Sequence, residues 1–208
     1  STGTVTLYLT LTLKQLGFST FNTNLLTIPP NVAHIFLLLL QTWLTEYFNE
    51  RALIATLQPL WIIPCAGVLA FWKDSLTNVW GTYAVLVLYL CGPYIHAILV
   101  GWCSRNSNTV RTRTVSAAIY NMFVQAGSIV SSNIYRKDDA PYYRRGNRVL
   151  FALAIVSLVI LLFTKVYYIW RNQSRDKIWN AMTLEEQHEY RRTTKDEGNK
   201  RLDFRFAH

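Results

Sequence analysis

Long apolar runs alternate along this chain with short polar or charged ones, at a spacing that predicts a series of membrane-crossing helices. The first run, residues 4–28, is punctuated by Lys14, Gln15, Asn22 and Asn24 and stops at Pro29-Pro30. At the helical rise it is about 37 Å long, enough for a bilayer core of about 30 Å. A second run, residues 32–48, is closed by the charged stretch from Glu46 to Arg51. The third, residues 52–72, carries Pro59 and Pro64, so a bend is expected there; membrane helices tolerate proline where neighbours satisfy the freed carbonyls. After the polar loop from Lys73 to Asn78 comes residues 79–102, with Gly92-Pro93 predicting a break in mid-membrane. The fifth run, residues 112–134, holds Asn121, Gln125, Ser128, Ser131, Ser132 and Asn133 and would make a poor lipid-facing helix. The sixth, residues 149–170, is nearly uniform Leu, Ile, Val, Phe and Ala, interrupted by Lys165 near its end.

The pattern therefore predicts an all-α membrane protein, a six-transmembrane-helix bundle over residues 1–170 with a polar tail over 171–208. Composition agrees, because only 16% of residues are charged against roughly 25% in soluble domains. The net charge of +9 sits in loops and tail, not among exposed aromatics, which argues against nucleic acid as a partner. With alternating spans, Arg51, Arg105, Arg111, Arg113 and nine Lys or Arg from Arg171 onward share one side. Lys73, Arg136, Lys137, Arg144, Arg145 and Arg148 share the other, so both termini are expected in the cytoplasm. Cys65, Cys91 and Cys103 have neither disulfide-framework nor metal-ligand spacing, and no cofactor motif is visible. The four histidines are scattered, so no enzyme constellation is expected. In the tail, Thr183 and Glu186 have the spacing of a capping box, predicting a short helix through Arg192. A chain starting at Ser1, close to an apolar run, is expected to be a fragment or a processed form.

Three segments carry more than topology. The run from Arg111 to Gln125 (RTRTVSAAIYNMFVQ), then Ser132 to Tyr143 (SNIYRKDDAPYY) and Arg144 to Arg148 (RRGNR), resembles the fungal allantoate permease group. That group lies within the anion:cation symporter family of the major facilitator superfamily. The stretch from Leu16 to Leu26 and the tail from Asp176 to Asn180 and Arg201 to Phe204 are similar to the same proteins. The resemblance covers nearly the whole chain. It implies the C-terminal half of a major facilitator fold, whose partner would be a missing N-terminal six-helix half. It further implies a small organic anion as substrate, such as allantoate, ureidosuccinate or a vitamin-type carboxylate, with a proton as coupling ion in a plasma membrane. The alternative is a non-transporting scaffold or inactive half.

Candidate site residues follow. Lys14 lies about 15 Å along the first run, too deep to snorkel easily, so it either attracts a substrate carboxylate or pairs across the bundle. Gln15, Phe18, Phe21 and Asn22 accompany it, as substrate contacts or as helix packing. Asn121, Gln125, Ser128 and Ser132 step by helical spacing into one polar stripe, for a cavity or for interhelical bonds. Tyr89 and His96 flank Gly92-Pro93 on one face; His96 could titrate in proton coupling or be a structural hydrogen-bonded residue. Glu46, Glu50 and Arg51 form either a gating loop or a simple cap.

Overall fold

The computed structural model describes Leu13 and residues 19–72, 79–134, 139 and 143–208. Among these the chain is all-helical. Helix α1 runs Thr20–Phe48, α2 Ala52–Phe71, α3 Val79–Leu90, α4 His96–Arg105, α5 Val110–Ser132, α6 Arg144–Ala181 and α7 Leu184–Thr193, followed by a 3-10 turn at Gly198–Lys200. Three of them, α1, α2 and α6, are long and apolar enough to cross a membrane.

The first boundary differs from the sequence expectation. Pro29 and Pro30 do not end a helix; both lie inside α1, which starts after Ser19, whose hydroxyl caps the Asn22 N–H. Each proline removes a donor to the carbonyl four residues earlier. The Leu26 carbonyl, freed by Pro30, instead accepts the Tyr83 hydroxyl of α3 at 3.0 Å, and the helix continues. Helix α1 ends at Asn49, in the left-handed region (φ 51°) that asparagine tolerates, its N–H donating to the Glu46 carbonyl. The run over residues 79–102 is broken as expected, into α3 and α4 around Gly92-Pro93. Helix α6 is far longer than residues 149–170: its 38 residues extend about 57 Å, so it continues well into the polar tail. The tail then folds as the capping box predicts, with Thr183 Oγ1 accepting the Glu186 N–H (3.3 Å) and Glu186 accepting the Thr183 N–H (2.7 Å).

Burial on α1 is inverted relative to a soluble helix. Thr23, Pro30, Gln41 and Thr45 are its buried residues, while Phe21, Leu25, Ile35, Phe36 and Leu39 face outward. An apolar exterior carries no penalty in hydrocarbon, and of the inward polar side chains Gln41 reaches another helix, donating to the Ile54 carbonyl at 3.3 Å. Helices α2 and α6 form the main antiparallel pair. Asn147 Nδ2 donates to the Leu69 carbonyl (3.3 Å) at one end, and Lys165 Nζ donates to Glu50 (2.9 Å) at the other. Between them the Phe151 ring packs over Gly67. One core cluster gathers Leu13, Ala66, Leu69, Leu86, Tyr89, Leu90 and Leu150. A second gathers Ala52, Ala55, Ile95, Ile98, Trp102 and Leu161, with Ala207 of the tail packed on it. The α1–α2 loop, the end of α4 and the tail thus meet at one end of the bundle.

Candidate functional site

The break between α3 and α4 is where several elements converge. Pro93 cannot donate, so the chain turns through Gly92, whose N–H reaches only the Tyr89 carbonyl (3.3 Å). Neighbouring helices take over the exposed carbonyls. Trp61 Nε1 of α2 donates to the Leu88 carbonyl (2.7 Å), and His34 Nδ1 of α1 lies 3.2 Å from the Gly92 carbonyl. Gly92 is needed for this fit, because a Cβ there would lie 2.9 Å from Trp61 Cδ1.

Beside the break lies a half-open cleft of about 630 Å³. Gln58, Pro59 and Ile62 of α2 form one wall, and Leu150, Leu153, Ala154 and Ser157 of α6 another. The break supplies Tyr89, Tyr94, Ile95 and His96, while α5 supplies Tyr120, Val124, Gly127, Ser128 and Ser131. His96 Nδ1 and the Tyr120 hydroxyl are 2.7 Å apart, joining α4 to α5. Four rings run in series across the site: His34 to Tyr94 at 5.6 Å, Tyr94 to His96 at 5.9 Å and His96 to Tyr120 at 5.3 Å between centroids. No Asp, Glu, Lys or Arg lies among these lining residues. The cavity can therefore offer aromatic faces, hydroxyls, one amide and one imidazole, a neutral surface that suits a planar polar solute.

Of the residues singled out in the sequence, Tyr89 and His96 are brought together on this cavity. Asn22 is exposed on the first turn of α1, away from it. Asn121 and Gln125 are exposed on α5 and are not among the lining residues; the face turned to the cavity runs through Tyr120, Val124, Gly127, Ser128 and Ser131, sharing Ser128 with the expected stripe. Lys14, Gln15 and Phe18 lie outside the described residues. Glu46, Glu50 and Arg51 lie at the end of the bundle: Arg51, nearly buried, pairs with exposed Glu46 at 3.0 Å, and Glu50 pairs with Lys165 of α6. Gln58, Tyr94 and Tyr120 were not anticipated. Only Tyr94, adjoining Gly92-Pro93, had a signal that could have marked it.

Membrane-length helices and an inverted burial pattern, with a helix broken beside a half-open cleft, define an integral membrane protein. The chain is 56% identical to an uncharacterized transporter, YOL162W, of Saccharomyces cerevisiae, over 100% of its own length and 96% of that protein's. It is 45% identical to the uncharacterized transporter YIL166C of the same yeast over 99% of its length, and 25% identical to the major facilitator-type transporter hxnP of Emericella nidulans over 92%. The chain belongs to this transporter family. It spans 38% of YIL166C and 38% of hxnP, so it corresponds to a part of those longer proteins. No family model and no solved structure matches it.

Proposed function

We propose that the chain is one half of a secondary transporter of the major facilitator type, which moves a small organic anion with a proton. The observation that carries this reading is the α3–α4 break opening onto the cavity between α2, α5 and α6. Discontinuous helices at mid-depth are how transporters expose backbone and side chains to a solute while keeping lipid-facing surface regular. The six-helix count rests on the hydropathy pattern of the sequence; three of the described helices have membrane length and apolarity. The basic residues gathered with the α1–α2 loop, the end of α4 and the tail support a cytoplasmic location for that end. Lys14 supplies the charge for a carboxylate, and the imidazole of His96 with the Tyr120 hydroxyl supplies a protonatable hydrogen-bonded pair. The anion and the allantoate-permease subgroup rest on the sequence resemblance.

The test is uptake of labelled ureido and vitamin-type carboxylates in vesicles containing the complete transporter, with and without a proton gradient. Lys14→Ala is expected to raise the apparent dissociation constant about tenfold to a hundredfold, as loss of a buried charge-assisted bond does. Unchanged affinity with a lower melting temperature would show that Lys14 is structural. Gradient-independent uptake would remove the proton.

A second reading is a half that acts as a scaffold without transporting. Uptake restored when a first half is co-expressed with the 208-residue chain supports the transporter half, and no uptake even then supports the scaffold.

A further inference from the structure

The last residues of the chain are held as a peptide in a groove of the chain's own making. Two asparagines read the main chain from opposite sides. Asn172 of α6 accepts the Phe206 N–H and donates to the Phe206 carbonyl, both at 2.8 Å. Asn106, at the end of α4, does the same to Ala207, accepting its N–H at 2.8 Å and donating to its carbonyl at 3.2 Å. Trp102 Nε1 of α4 adds a bond to the Ala207 carbonyl at 2.7 Å. Between these clamps the Phe206 ring stacks on Tyr168 of α6, 4.7 Å between centroids and 9° from parallel, with the Arg175 guanidinium 5.0 Å over its ring. Gly198, at φ +64° where only glycine is unstrained, brings the start of this segment to Asn108, whose amide donates to its carbonyl at 3.0 Å.

The groove has one wall on α4 and one on α6, so the tail bridges two elements that also meet in the second core cluster. At its other end, α4 begins at the Gly92-Pro93 break, where the helical ladder is interrupted. Helix α4 is thus a ten-residue rod, with a hinge at one end and a strap at the other. A rod so mounted cannot swing about its hinge while the strap holds its far end to α6.

We propose that residues 201–208 are a latch: an internal peptide ligand whose seat between α4 and α6 holds α4 in one position, and whose release frees α4 to pivot at Gly92-Pro93. Main-chain recognition through two carboxamides sets the register, and two side chains add identity: the Phe206 ring on Tyr168 and Arg205, paired with Asp176 of α6 at 2.7 Å. The bonds are several and individually modest, so the latch can open without unfolding the bundle. The link from this latch to transport rests on the transporter reading above.

The decisive measurement is hydrogen exchange by mass spectrometry on the full-length protein in detergent, comparing the wild type with Asn106→Ala/Asn172→Ala. Residues 201–208 and α4 are expected to lose protection together, by tenfold or more, while α2 and the first half of α6 keep theirs. Tail amides that speed up while α4 does not would overturn the latch, and so would tail amides that stay protected. Trp102→Phe, a milder change, should give the same pattern at smaller amplitude, which distinguishes release from misfolding. A second arm uses the complete transporter with all its native cysteines, among them Cys65, Cys91 and Cys103, changed to serine and Asn106→Cys/Ala207→Cys added. Uptake should fall when this pair is oxidised and return with dithiothreitol; uptake indifferent to the bond would deny the latch any control. If the unmodified transporter takes up none of the substrates, the transport reading fails, and the exchange result alone decides the latch.

Discussion

The Tyr83 hydroxyl donates at 3.0 Å to the carbonyl of Leu26, the group that Pro30 leaves without a helical donor. One phenol on α3 thereby satisfies one of the two carbonyls that the consecutive prolines free within α1. Tyr83→Phe removes the donor and keeps the ring. A buried unsatisfied carbonyl costs about 1–3 kcal/mol, so the purified protein should melt several degrees lower. An unchanged melting temperature would mean that another group or a water satisfies Leu26.

Trp61 and Gly92 form a matched pair at the α3–α4 break, through the indole bond to the Leu88 carbonyl and the close approach over the glycine. Gly92→Ala displaces the indole and breaks that bond, at a cost of about 1–3 kcal/mol for overpacking. Trp61→Phe removes the same bond. The double variant should therefore lose clearly less stability than the sum of the singles, and strict additivity in a double-mutant cycle would show that the two act apart.

Lys165 and Glu50 close the α2–α6 pair at 2.9 Å, but unequally, since the lysine side chain is 16% exposed and the glutamate 34%. Losing the acid strands an ammonium with little water, whereas losing the lysine leaves a carboxylate that can rehydrate. Glu50→Leu should therefore destabilise more than Lys165→Met, with a coupling energy of about 1 kcal/mol between them. The reverse order in chemical denaturation would sink this account.

The tail carries its own acid limit. The Arg201 guanidinium hydrogen-bonds both oxygens of Asp203 at 2.8 Å and holds its carboxyl below the usual carboxylate range, against an opposing push from partial burial; Arg191, 3.8 Å away, helps. A depressed pKa means that the folded tail binds fewer protons than the unfolded one. Its stabilisation is then complete above the unfolded value, about 3.9, and fades as pH falls below it through the folded value. Proteolysis of the last residues should be flat from pH 7 to about 5 and accelerate only below about 4. In Asp203→Asn the acid-dependent step should vanish.

The sequence by itself determined the medium and the local punctuation. Runs of Leu, Ile, Val and Phe at membrane length, the break at Gly92-Pro93, and the capping box of Thr183 and Glu186 all depend on neighbours within a few positions, so spacing alone reveals them. The tertiary structure decided what depends on partners distant in the chain. Pro29-Pro30 reads locally as a stop, yet the helix continues, and Tyr83, more than fifty positions away, supplies a donor to one of the freed carbonyls. On α5 the polar stripe through Asn121 and Gln125 and the cavity face through Tyr120 and Ser128 are both helically regular, and only packing against α4 chooses between them. The polar tail reads as solvated charge, yet its final residues are seated by Asn106 and Asn172, because two carboxamides on separate helices happen to face the same strand of backbone. A hydropathy pattern measures how a residue prefers its solvent, and it carries no record of which remote carbonyl needs a donor.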